Sequence, residues 1–101
     1  MKVLEKNRCG MNEIKATAGE MIACLKYNGR KTEAAVLFYL VMTITDRLDL
    51  SEPLEPLLDV VDKLSRRYQR GNVENAAFTS KMRQGYNRLY ALIEVVMVEN
   101  N

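Results

Sequence analysis

Cys9 and Cys24 are the only thiols in the sequence, and histidine is absent. A structural zinc site takes four ligands, two of them close together in the chain. Two thiols this far apart do not provide it, so no metal and no cofactor are expected. A disulfide between them would require the first residues to fold back over the following helix. Cys24 reads as a small apolar residue at the edge of a core, and no neighbouring pattern marks Cys9 as an activated thiol. A serine nucleophile needs a base within hydrogen-bond reach. Ser51 reads as a cap or turn residue, Ser65 falls on an inward helix edge and Ser80 on an outward face. Without histidine, acid–base catalysis would need paired carboxylates or a buried lysine. The expected inward faces hold neither, and Glu20 and Glu94 fall on outward arcs. The five glycines are scattered singly and form no phosphate-cradling loop. No catalytic residue is assigned, and the reading is a protein that is not an enzyme.

The charges are more informative. Residues 51–62 carry Glu52, Glu55, Asp59 and Asp62 and no base. Residues 63–88 carry seven bases against Glu74 alone, a net charge of +6, within a chain whose total is only +2. Part of this is ordinary helix electrostatics. Asp59–Lys63 and Asp62–Arg66 are i, i+4 pairs with the acid first, and acids at the start with bases at the end suit the helix dipole. That leaves Arg67, Arg70, Lys81, Arg83 and Arg88 as candidates for contact with an acidic protein partner. Nucleic acid is the alternative partner. Arg83 lies on one flank of the last helix, while Lys81 and Arg88 lie on the other, so they form no single basic stripe. No helix-turn-helix pair and no ribonucleoprotein aromatic motif is present.

The elements that must position these residues are helical. Ile14, Ala18, Met21, Ile22 and Leu25 mark one stripe of a first helix over 11–27. The Asn28-Gly29 pair suits a left-handed C-terminal cap, and residues 1–8 are a frayed lead-in or a short helical turn. Thr32 is an N-cap candidate for a second helix over 33–48, and Glu33 suits the positive end of its dipole. From Ala34 to Met42 this segment is apolar on every side. The run would also suit a buried strand, but the cap and the continuation through Ile44 and Leu48 favour helix. A helix with no polar face is enclosed by others, so it is placed at the centre.

A third helix starts at Pro53 or Pro56, carries Leu57, Val61, Leu64 and Tyr68 on one face and stops at Gly71. A fourth starts near Asn72 or Asn75 and reaches residue 99, with Phe78, Met82, Tyr86, Leu89, Ile93 and Val96 on one face. At 1.5 Å per residue it would be roughly 37 Å long, well beyond the first helix. It must therefore bend near Gly85 or overhang the others. Gly85 reads as a bend or as the close approach of another helix, including one from a second subunit. With Val95 and Val98 on the apolar last turns, it is a candidate for self-association; the competing reading is that this end completes the core against residues 1–8.

The chain of 101 residues, 48% hydrophobic and 28% charged, fits a single globular domain. Its longest apolar run, nine residues from Ala34 to Met42, is too short to span a bilayer. The first ten residues lack the apolar core of a secretory signal. The expected object is an all-α four-helix bundle with short connections and a long last helix, cytoplasmic, with both cysteines as thiols. It is expected to be a homodimer that acts as an adaptor, inhibitor, immunity-type or regulatory protein by binding another protein.

Overall fold

The computed structural model describes residues 2–69 and 75–100, with side chains for 10–69 and 75–99. Four helices follow one another: α1 (Lys2–Tyr27), α2 (Lys31–Asp49), α3 (Glu55–Arg66) and α4 (Ala76–Asn100). No strand occurs among the described residues. The all-α bundle read from the periodicity is the fold.

The arrangement inside the bundle differs from the sequence reading in one important respect. The main packings are α1 on α4, α1 on α2 and α3 on α4. The centre is therefore the α1–α4 pair, and α2 lies on its flank. Thr45 approaches Met11 across the α1–α2 seam, and Arg88 meets Thr17 across the α1–α4 seam. With Gly85 against Met21 and Gly10 against Val96, these contacts show α1 running antiparallel to both neighbours. The apolar character of α2 comes from two faces with different fates. Ala34, Leu37, Leu40 and Ile44 are buried, while Phe38, Tyr39 and Met42 face outward.

α1 begins at Lys2 rather than at Met11, so it has 26 residues against 25 in α4. The two long helices match, and α4 needs neither an overhang nor a break to fit. Tyr86, Leu89, Ile93 and Val96 of α4 join Ile14, Ala18, Met21 and Leu25 of α1 in the core. Each fully buried Leu, Ile, Val or Met among these is worth about 1.5–3 kcal/mol relative to exposure. The molecule is elongated along this pair, with extents of 47 × 21 × 19 Å.

The helix ends follow local chemistry with two corrections. Asn28 and Gly29 end α1: Gly29 has φ +76°, and the Arg30 N–H donates to the Leu25 carbonyl. α2 is capped at Arg30 and not at Thr32, with no side-chain cap bond. α3 starts at Glu55 with Pro56 in its first turn, where a missing N–H costs no helical bond. It ends at Arg66, and residues 67–69 form a turn that carries Tyr68 into the core. Gly71 and Asn72, the expected stop and restart, lie outside the described residues.

Candidate functional site

Among the described residues, two places depart from an ordinary helical bundle. One is a buried carboxylate, and the other is an unpartnered apolar face.

Glu33 does not project from the helix start into solvent. It is 7% exposed, at the point where the first turn of α2 meets the turn after α3 and the middle of α4. The Tyr68 hydroxyl donates to both of its oxygens, at 2.9 Å to Oε1 and 2.7 Å to Oε2. The Tyr86 hydroxyl donates to Oε2 at 2.7 Å. Arg67 Nη1 lies 3.7 Å from Oε1. The two tyrosine rings stack with centroids 5.7 Å apart, and Phe78 meets Tyr68 edge-on at 5.8 Å. The Arg30 guanidinium lies 5.2 Å above the centre of the Phe78 ring. Burial, the hydrogen bonds to Glu33 and its charge raise the pKa of both tyrosines far above the usual 10. They therefore stay protonated and keep donating.

This cluster answers the cost of burying a carboxylate, which is severe unless hydrogen bonds satisfy it. Neither surface groove described below is lined by Glu33, Tyr68 or Tyr86. The arrangement fastens the start of α2, the turn after α3 and the middle of α4 together. The sequence reading put Tyr68 and Tyr86 in the core but gave Glu33 only a role at the helix dipole, which is by itself a sufficient explanation for an acid in a first turn.

The second place is the outer side of α2. Phe38 is 57% exposed, Tyr39 69% and Met42 47%, on consecutive turns of one face. Beside them a groove of about 450 Å³ runs between α1 and α2. Ala18, Gly19 and Ile22 line it from α1, and Phe38, Val41 and Met42 from α2; Lys15 and Asp46 stand at its polar end. Gly19 holds the groove open, since nothing lies within 4 Å of where its Cβ would be. These residues could not be separated from the core by sequence, because a helix apolar all round reads alike whether enclosed or two-sided.

The residues singled out by sequence are dispersed. Arg67 is held beside Glu33. Arg83, half-buried, donates from Nε to the Tyr68 carbonyl at 2.8 Å. Arg88 donates from Nε to Thr17 Oγ1 at 3.3 Å. Lys81 and Arg88 line a second groove of about 430 Å³ between α1 and α4, which Glu13 and Glu20 also line. Arg70 lies outside the described residues. The cations that are described thus do not share one surface, and three of them bind groups of their own chain.

Gly85 is a point of close approach, and the approaching group belongs to the same chain: an added Cβ would lie 2.7 Å from Met21 Cγ and Sδ. The packing of α1 on α4 accounts for this glycine without a second subunit. Val95 and Val98 are exposed on the outer side of α4. No helix is long and apolar enough to cross a membrane among the described residues. Comparison with protein-family models, curated proteins and solved structures returns no match.

Proposed function

We propose that this chain works by binding protein rather than by catalysis, as a small cytoplasmic adaptor, inhibitor or regulator whose contact surface is the outer face of α2. The exposed Phe38–Tyr39–Met42 patch beside an apolar groove carries this reading. Aromatic residues and methionine are enriched where proteins meet, and contiguous exposed apolar surface marks interaction sites. The contacts of Arg67, Arg83 and Arg88 within the chain favour protein over nucleic acid as the partner.

The test is capture from an extract of the source cells by tagged wild type, by Phe38→Glu/Met42→Glu and by Tyr27→Glu. Tyr27 is an exposed aromatic at the end of α1 that does not line the groove. A protein retained by wild type and by Tyr27→Glu, but lost from the double variant, is the expected result. Nucleic acid released by salt and held equally by all three would overturn it.

A further inference from the structure

The outer face of α2 has an internal symmetry. Lys31, Ala35, Phe38, Met42, Thr45 and Asp49 follow the alternating spacing of three and four residues that makes one coiled-coil seam. This seam opens and closes with the helix itself, Lys31–Asp49. Five of the six residues are exposed; Thr45 is half-buried, its hydroxyl turned toward Met11 of α1 at the inner border of the seam. The seam is symmetric about residue 40: Lys31 mirrors Asp49, Ala35 mirrors Thr45 and Phe38 mirrors Met42. Its ends carry opposite charges, and neither Lys31 nor Asp49 is ion-paired within the described residues.

We infer that a second copy of this chain docks on this face, α2 against α2 in antiparallel register about a two-fold axis at residue 40. Lys31 of each copy then faces Asp49 of the other, Phe38 packs on Met42, and Tyr39 meets its own equivalent beside the axis. A parallel pairing would set Lys31 on Lys31 and Asp49 on Asp49, so the charges select the antiparallel arrangement. The groove over Gly19 and Ile22 flanks the seam and gives the partner's aromatic side chain room. This proposal rests on the reading of the α2 face as an interface and names what occupies it.

Sedimentation equilibrium of the whole chain from about 5 to 500 μM, the range suited to a weak, small interface, tests it. Wild type is expected to dimerise. Lys31→Glu and Asp49→Lys should each weaken the dimer by about tenfold or more, since each replaces two attractive pairs with two repulsive ones. The combined Lys31→Glu/Asp49→Lys chain should dimerise as wild type does. Both changes suit the helix dipole at their own ends, so circular dichroism should show the monomer intact. A wild type that stays monomeric overturns the second copy; Phe38- and Met42-dependent capture from extract would then still uphold the interface reading, and its absence would remove both. A dimer indifferent to the single reversals, or not restored by the combined ones, overturns the antiparallel register.

Discussion

Replacing Tyr86 with Phe removes one oxygen from a fully buried ring and leaves its stacking on Tyr68 in place. The lost bond is the 2.7 Å donation to Glu33 Oε2. A hydrogen bond to a charged group contributes about 1.5–3 kcal/mol net. A chain of this length has roughly 5–15 kcal/mol of stability in all, so the variant should lose a substantial share while remaining folded. The same substitution should have the opposite sign once Glu33 is Leu. There the Tyr86 hydroxyl has lost its acceptor and is already an unsatisfied buried donor, which costs about 1–3 kcal/mol. Removing it should raise stability by about 1 kcal/mol. The double-mutant cycle should then show a coupling of about 3 kcal/mol. The chain has no tryptophan and is mostly helical among the described residues, so urea unfolding followed by far-ultraviolet circular dichroism is the suitable assay. With a slope near 1 kcal/mol per molar, the Tyr86→Phe midpoint should fall by about 1.5–3 M. Equal costs for Tyr86→Phe in both backgrounds, with coupling under about 0.5 kcal/mol, would refute the idea that these residues act as one unit.

Alkali should unfold the protein through the same tyrosines. Their folded pKa values lie above the unfolded value near 10, so above that pH the unfolded chain binds fewer protons and stability falls, by about 1.4 kcal/mol per pH unit for each of the two. Stability measured from pH 9 to 11 should show this decline, and a Tyr68→Phe/Tyr86→Phe chain should lack it. Gly19→Ala should raise the melting temperature, because open space meets the new methyl and alanine favours helix by up to about 1 kcal/mol. Gly85→Ala should lower it by an amount equivalent to about 1 kcal/mol, the helix gain being outweighed by displacement of buried Met21; equal effects at the two glycines would contradict the packing of α1 on α4. Val95→Lys/Val98→Lys should leave unfolding within about 0.5 kcal/mol of wild type and leave sedimentation unchanged, whereas loss of a dimer would move self-association to α4.

The fold was legible because its stripes are regular. Ile14, Ala18, Met21 and Leu25, and likewise Phe78 through Val96, keep the helical period and are buried as that period requires. The error lay in α2. Hydrophobic periodicity reports that a face is apolar but not what covers it, so Phe38, Tyr39 and Met42 were assigned to the same interior as Leu37 and Ile44. The start of α1 was missed because residues 1–8 carry too few apolar positions to show a stripe, and the apparent mismatch with α4 followed from that. Glu33 was hidden for a different reason. Its partners Tyr68 and Tyr86 lie 35 and 53 residues away in sequence, and no local pattern encodes a contact at that range. Of the basic candidates, Arg67 and Arg83 sit beside this cluster, which explains their presence without a ligand.

The pairing of α1 with α4 also governs how the chain can reach its native state. The two helices at the heart of the bundle are the first and the last in sequence. Joining them requires closing a loop of about fifty residues, at an entropic cost of roughly 3–4 kcal/mol before any contact between them repays it. Helical bundles that pair only successive helices avoid this and fold fastest. Here α1 can gather α2 as soon as both exist, but its other flank, with Met21 facing the place of Gly85, stays uncovered until α4 arrives. During synthesis that flank is exposed until the last helix leaves the ribosome, and refolding from denaturant should be slow for so helical a protein.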